Sequence, residues 1–320
     1  MTILIVTNRR DITADFVVLE LRRQEANFIR LNTEDYPSAI KISWSPTDYS
    51  EAYFDIHGQV LPLQSIKSVW YRRPVAPVPS IDVSDPLARA FIIEEARAAL
   101  AGIWRALDCF WVSHPDSLYA ASYKLNQLHV AHKLGFKVPD TLVTNNPSTA
   151  ETFLSHQQQV VYKTVSMGRI SSDNQEADQG IFTSELSEDD RSHIASIKFT
   201  PSLFQELIRK AVDIRVTVIG AELFAVAIYS QDNPDSRVDW RRLDPDKLKH
   251  KVVELPENVK QLCHDLMQYY RLQFGAIDLI LTNEGEYVFL EINPNGQWAW
   301  IEQVTGIPLS YTLAKLLIDA

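Results

Sequence analysis

The sequence predicts an α+β protein in which a small doubly wound α/β unit precedes a larger unit of mixed strands and helices. Three observations predict it. The opening alternates strand, helix and strand; a proline-marked break falls at His114-Pro115-Asp116; and residues 275–296 (GAIDLILTNEGEYVFLEINPNG) alternate apolar and polar like a hairpin.

In order along the chain, residues 3–7 read as a strand, 13–25 as an amphipathic helix and 28–31 as the next strand. Short strands fit 40–44 and 53–56, with His57-Gly58 turning between apolar runs. Residues 69–73 look like another strand, ended by the proline-rich piece from Pro74 to Pro79, and a helix fits 86–107. The first unit is Rossmann-like but has no G-x-G-x-x-G turn, so it is no dinucleotide site. The boundary falls at residue 114. Ser117 is a candidate cap for a helix with Leu125, Leu128, Ala131 and Leu134 at helical spacing, ended by Gly135. A strand at 141–144, a helix at 148–157 and a strand at 160–165 follow. Residues 166–180 (SMGRISSDNQEADQG) are polar and glycine-punctuated, which predicts a mobile loop. Next come a strand, a turn and a helix, then a strand at 203–208 and two long strands broken at Gly220-Ala221. The charged stretch 231–251 reads as loop, 256–272 as helix, and the chain closes with the hairpin and a helix at 308–318.

The whole chain bounds the function. Its 320 residues carry 31 basic and 41 acidic side chains, a net charge of −10. That field argues against nucleic acid or an anionic membrane as partner, both being polyanions. Cys109 and Cys263 are two isolated thiols and no disulfide framework, so a reducing cytoplasm is expected. The apolar start (MTILIVT) is too short for a signal-peptide core, and no apolar run reaches the length of a membrane span.

The hairpin carries the strongest chemical signal. A two-residue turn at Glu284-Gly285 sets Asp278 opposite Glu291, with Glu291 and Asn293 sharing a face with Tyr287 and Phe289. Facing carboxylates repel unless a cation lies between them, and hard oxygen ligands suit Mg²⁺ shared with nucleotide phosphates. The plainer alternative is a strand pair with a solvated acidic face. Lys163, on a strand just before the polar loop, is placed to neutralise phosphates, although strand lysines commonly face solvent. Lys124 lies on the capped helix, where a solvated face is the ordinary place. Asp213 and Arg215 point the same way and fit a structural ion pair equally well. Phe204 to Ile208 has the look of a segment that reads an adenine edge. Of the arginine pairs, Arg72-Arg73 and Arg241-Arg242 stand out, because a guanidinium forks onto carboxylate or phosphate. Arg72 and Arg73 either meet an acidic substrate or stitch the two units together; four polar or amphipathic residues before a proline-rich loop make a poor interior strand. Trp298 either lines a groove or packs the last helix.

In this order, Lys124, Lys163 with its loop, Gln205-Glu206-x-Ile208, Asp213-x-Arg215 and Asp278…Glu291-x-Asn293 resemble the ATP-grasp superfamily. Within it, the start TILIVT, VWYRRP at 69–74, VDWRR at 238–242, FGAID at 274–278 and EINPNGQWAWIE at 291–302 are similar to the microviridin-type ligases, the graspetide maturases. The resemblance implies a pre-ATP-grasp domain at 1–114 and an ATP-grasp domain at 115–320, with a central lid subdomain to about 205 and a C-terminal subdomain beyond it. It implies that Lys124 and Lys163 touch the phosphates of ATP and that Gln205, Glu206, Leu207 and Ile208 hold adenine. Asp213 falls near the ribose, Arg215 and Arg241 join Lys163 at the reacting groups, and Asp278, Glu291 and Asn293 hold Mg²⁺, with two ions expected. Arg72, Arg73 and Trp298 are candidate substrate contacts.

The implied substrate is a ribosomal precursor peptide, leader plus acidic core, whose Asp or Glu side chains are activated as acyl phosphates and joined to Ser/Thr hydroxyls or Lys amines. Closure of the 166–180 loop would keep water from the intermediate. A homodimer is compatible with the sequence. One rival is an ATP-grasp ligase that adds free amino acids such as glutamate to a peptide or protein terminus. A second is a nucleotide-binding module that holds a peptide without turnover.

Overall fold

The computed structural model describes residues 1–166, 169–170 and 179–320. The first unit comprises β1 (Thr2–Thr7), α1 (Ile12–Arg23), β2 (Phe28–Asn32), β3 (Ile40–Ser43), β4 (Tyr53–Ile56), β5 (Gln59–Pro62), β6 (Ile66–Tyr71), α2 (Pro86–Ala106) and β7 (Phe110–Val112). Its sheet runs β2-β1-β6-β7, parallel throughout. A parallel sheet is covered on both faces, which is why β1 is one continuous apolar run with every residue buried. One face packs α2 and the β3-β4-β5 meander through Leu4, Val6, Leu100 and Trp104. The other packs α1. The segment expected to make a poor interior strand is in fact interior: β6 lies between β1 and β7, and its Trp70 is 1% exposed. The apolar Val69 and Trp70 fill the two covered faces, and both arginines lie beyond the strand's end.

After β7 come α3 (Pro115–Ala120) and α4 (Lys124–Leu134), followed by β8 (Thr141–Thr144), α5 (Pro147–His156) and β9 (Val160–Lys163). The two-stranded piece β10 (Arg169–Ile170) and β11 (Gln179–Gly180), then β12 (Ser184–Glu185), α6 (Glu188–Ser192) and β13 (Ser202–Glu206) complete this half. Most of the loop expected to close the site, 167–168 and 171–178, lies outside the described residues. The single Ser117-capped helix is corrected to two. Pro115 at the first helical position starts α3, and His114, not Ser117, caps it by accepting from the Asp116 amide. In α4 the buried positions are Gln127, Val130 and Ala131, while Leu125 is 46% exposed. Gly135 ends α4 at φ 105°, which only glycine adopts without strain. Strands β12-β9-β13-β8 form an antiparallel sheet.

The remaining chain supplies β14 (Lys210–Ile219), β15 (Glu222–Ile228), β16 (His250–Val253), α7 (Glu257–Tyr270), β17 (Phe274–Thr282), β18 (Tyr287–Asn293), α8 (Ala299–Thr305) and α9 (Leu309–Asp319). Strand β16 falls in the stretch expected to be loop, and α8 in the aromatic exit from the hairpin. The antiparallel sheet runs β16-β15-β14-β17-β18. The hairpin turn is one residue longer than expected: the Thr282 amide donates to Glu286 O at 2.9 Å, around a three-residue turn with Gly285 at φ 86°. An irregularity opposite Asp278/Leu279 takes up the extra residue, because Leu279 faces Phe289 whereas Asp278 faces Glu291. Leu290 is therefore the bulged residue. The bulge also corrects the face assignment: Phe289 turns into the core, while Glu291 and Asn293 turn to the other side.

A single apolar cluster joins the units. Ile3, Ile5 and Trp70 of the first sheet pack with Val17 and Leu21 of α1, with Leu313 and Leu317 of α9, and with Phe274 of β17. Among the described residues no helix is long and apolar enough to cross a membrane. Because Leu313 is fully buried in this shared cluster, Leu313→Ala is expected to cost about 2–5 kcal/mol. Chemical denaturation checks it, and both units are expected to unfold in one shifted transition rather than two.

Candidate active site

Two sheets meet across an open cleft, and the short link between β13 and β14 forms its floor through Leu207 and Ile208. Three neighbouring strands at one side of the five-stranded sheet, β14-β17-β18, set the register of the acidic groups. Arg215 of β14 faces Asp278 of β17, which faces Glu291 of β18. Strand β18 is an edge strand, and its outer side is not left to water. The Gln127 side chain of α4 donates to Ile292 O at 2.9 Å and accepts from the Ile292 amide at 3.1 Å, and Lys137 O accepts from the Phe289 amide at 2.8 Å. These bonds flank the bulge and pin Glu291 toward the cleft. Sequence reasoning missed Gln127; a glutamine at a helical core position was the only signal.

Four cations surround the two carboxylates. Arg215 Nη1 meets both Asp278 oxygens at 2.8 and 2.9 Å. Lys124 Nζ lies 3.6 Å from Glu291 and donates to Thr164 O at 3.1 Å. Lys124 is the first residue of α4, where the helix dipole disfavours a cation, and Glu291 compensates. Arg241 Nη1 reaches Glu291 at 3.3 Å, while its other nitrogens fork onto Asp239 at 2.8 Å each. Asp239 also accepts from the Thr183 amide at 3.1 Å, and Arg242 donates to Thr183 O at 2.9 Å. The 239–242 turn thus grips the strand-side wall of the cleft through Thr183. Asp239 was not picked from the sequence, although its position two residues before Arg241 is the spacing of a fork. Lys163 on β9 donates to Gln205 Oε1 at 2.6 Å, and Gln205 donates to Thr141.

Charge tuning follows from burial and these pairs. Burial pushes the Asp278 carboxyl up despite Arg215. Burial acts upward on Glu291 too, but Lys124, Arg241 and Lys163 together outweigh it and hold the carboxyl below its ordinary range. Asp213 is raised by burial although Lys210 donates to it at 2.7 Å and Ser230 donates to its other oxygen. Asp239 and Arg241 hold each other charged against burial, the acid lowered and the guanidinium raised.

The expected groups fall into two sets. Lys124, Lys163, Gln205 to Ile208, Asp213, Arg241, Asp278 and Glu291 line one cleft. Arg215 stands behind Asp278, and Asn293 Nδ2 lies 3.3 Å from Asp278 and 3.5 Å from Glu291. Arg72 and Trp298 do not reach it. Arg72 is 1% exposed and bonded to the loop after β18, and Trp298 is fully buried beside Ile301, Leu309 and Leu313, with no surface for a substrate. Arg73 is exposed and donates to Asn295 O. Among the described residues no three His, Cys, Asp or Glu side chains form a ready cation cage. Mg²⁺ does not need one, since it is commonly held by one or two carboxylates plus substrate phosphates. Two facing carboxylates with a carboxamide between them fit that demand.

Comparison with known proteins agrees with this geometry. Residues 2–118 match the MvdD pre-ATP grasp domain and residues 121–317 the RimK-like ATP-grasp domain. The chain is 30% identical to the macrocyclase MdnC from Microcystis aeruginosa MRC, solved with the precursor peptide MdnA, over 100% of both chains at a TM-score of 0.88. It is 30% identical to a Chryseobacterium gregarium RiPP-associated ATP-grasp ligase in complex with ADP and a leader and core peptide, over 99% of this chain and 96% of that one at a TM-score of 0.90. It is also 23% identical over 224 residues to human N-acetylaspartylglutamate synthase A, covering 66% of this chain and 54% of that protein, so it spans about half the length of this curated relative. The chain belongs to the RimK-like ATP-grasp family and carries an MvdD-type pre-ATP-grasp domain. It is an ATP-grasp ligase, using ATP and Mg²⁺.

Burial, opposed by Glu291 and assisted by Lys124 and Arg241, pulls the Lys163 ammonium down to about 8. The folded value lies below the ordinary 10.5, so the unfolded chain binds that proton more tightly; the cost to stability is present below about 8 and relieved as pH rises toward 10.5. With Lys163 against the phosphates, as the sequence leads one to expect, nucleotide binding would have the opposite sense, because phosphate oxygens favour the charged amine. ATP affinity is expected to fall by up to about tenfold per pH unit above the Lys163 value. Lys163→Arg, which stays charged, is expected to flatten that limb. Isothermal titration between about pH 7 and pH 9.5 checks both, and an affinity that does not vary with pH in the wild type contradicts the assignment.

Proposed function

We propose that this ligase matures a ribosomal precursor peptide, activating Asp or Glu side chains of its acidic core as acyl phosphates and closing them onto Ser/Thr hydroxyls or Lys amines. The observation that carries the phosphoryl chemistry is the Asp278–Glu291 pair in one cleft with Lys124, Lys163 and Arg241, with Arg215 bonded to Asp278 from behind. The peptide acceptor is supported by full-length likeness to MdnC, solved with its precursor peptide, and to the ligase solved with leader and core.

In this reading, adenine lies along Gln205 to Ile208, the ribose near Asp213, and the phosphates between Lys124 and Lys163. A carboxylate oxygen of the peptide attacks the γ-phosphorus and ADP leaves. A hydroxyl or amine then attacks the acyl carbon, loses its proton, and phosphate departs. No covalent bond to the protein is needed, since phosphoryl transfer depends on positioning and charge neutralisation. Asp278, Glu291 and Asn293 would hold Mg²⁺, with two ions in the full complex, and the metal would supply neutralisation of the phosphate oxygens. Arg215 and Arg241 are already oriented by Asp278 and Asp239, so they meet the developing charge without reorganising. The domain boundary is placed at residues 114–115, just after β7, and the cytoplasm is the expected compartment for a chain with two unpaired thiols.

A second reading has one observation in its favour, the likeness to N-acetylaspartylglutamate synthase A: the acceptor would be a free amino acid. The acceptor dependence of ADP release separates the two. With ATP, Mg²⁺ and an acidic precursor peptide, the wild type is expected to release ADP without any free amino acid. Glu291→Gln should lower that rate by about 10²-fold or more while leaving the thermal midpoint within a few degrees, because it removes charge from the metal site and little packing. Wild-type turnover in Glu291→Gln would sink the metal assignment.

A further inference from the structure

Arg72 belongs to the first unit, yet its guanidinium is spent on the second. It sits one residue past β6, with its amide donating to Val6 O at 2.8 Å. Its Nη1 donates to Asn295 O, and its Nη2 donates to Gln297 Oε1 at 2.7 Å. Its Nε faces Asp11 Oδ2 at 3.5 Å. Gln297 Oε1 also accepts from Thr13 Oγ1 of α1 at 2.6 Å, so two residues of the first unit converge on one side-chain oxygen. The backbone of the same loop returns the contact to the site: Gln297 O accepts from Arg215 Nη2 at 3.1 Å, while Arg215 Nη1 holds Asp278. The loop starts at Asn293, which bridges Asp278 and Glu291. It lies so close that a Cβ added at Gly296 would stand 2.7 Å from Arg215 Nη2 and 2.6 Å from the Ala276 Cβ.

We propose that Arg72 is a positioning residue for the metal and phosphate centre: the first unit, through Arg72 and Thr13, sets the 293–298 loop and thereby aims Asn293 and Arg215. The ion pair with Asp11 lies within the first unit and explains no contact with the second. It does not account for a fork aimed at a loop whose other side is bonded to Arg215. The inference rests on the reading of Asp278, Glu291 and Asn293 as metal ligands, and it is independent of which acceptor the enzyme uses.

Equilibrium binding of AMPPNP, measured with and without Mg²⁺, tests it on the full chain. In Arg72→Gln the metal-free nucleotide affinity is expected to match the wild type, and the Mg²⁺ concentration for half-maximal enhancement to rise about tenfold, the scale of lost outer-shell support. Arg72→Lys is expected to behave like Arg72→Gln, since a single ammonium nitrogen lacks the planar fork whose two nitrogens reach Asn295 and Gln297 separately. Should Arg72→Gln fail to fold, Thr13→Val, which removes one of the two donors to Gln297, is expected to shift the Mg²⁺ requirement in the same sense by about two- to threefold. An unchanged Mg²⁺ requirement in a folded variant overturns the proposal. So does a parallel loss of metal-free binding, which marks a general structural role. If the wild type itself shows no Mg²⁺-dependent gain, the metal-ligand reading fails first, and the proposal with it.

Discussion

Two carboxylates face each other across adjacent strands inside this protein, and much of the surrounding structure exists to make that arrangement tolerable. Asp278 and Glu291 are paired in register, where like charges repel, and burial alone would drive both toward protonation. Arg215, Lys124, Lys163 and Arg241 converge on them from four different elements. Each cation has its own anchor, so the group keeps its geometry rather than collapsing onto one acid. The chain as a whole carries −10, and this cleft sets Lys124, Lys163 and Arg241 among its carboxylates. A polyanion such as ATP finds local cationic partners here rather than a positive field.

The backbone makes the same point. A three-residue turn and a bulge at Leu290 cancel in register, but they exchange the faces of Phe289 and Glu291. Without the bulge the hairpin would direct one of these two to the wrong side. Gln127 and Lys137 then occupy the free edge of β18, so the bulged strand is held from both sides. The first unit contributes through its shared apolar cluster and through Arg72, which closes on the loop immediately after the acidic strand. The ATP-grasp half is therefore not finished by its own residues alone.

What was legible in the sequence was whatever one element states by itself. Continuous apolar runs marked β1 and the parallel sheet, alternation marked β17 and β18, and Gly135 marked a helix end. The facing of Asp278 and Glu291 could be read because turn length and bulge offset one another, so the expected pairing was reached through an incorrect turn. Properties that depend on partners distant in sequence were not legible. One local signal was misread as well: Ser117 looked like the cap, whereas Pro115 takes the first helical position and His114 caps it. Trp298 could be read as lining a groove or as packing the last helix, and the choice depends on α9 and the first sheet, which bury it. Gln127 and Thr183 matter through bonds made across tens to hundreds of residues, and the only traces in the sequence were a glutamine at a helical core position and an acid two residues before Arg241.

Mass spectrometry of the acidic precursor peptide after incubation with the enzyme, ATP and Mg²⁺ measures the central claim most directly. Intramolecular condensation predicts the loss of one water per ring, with no added residue mass and no change when free amino acids are left out. A peptide that leaves the reaction at its original mass, or one that gains the mass of an amino acid, contradicts the macrocyclisation reading.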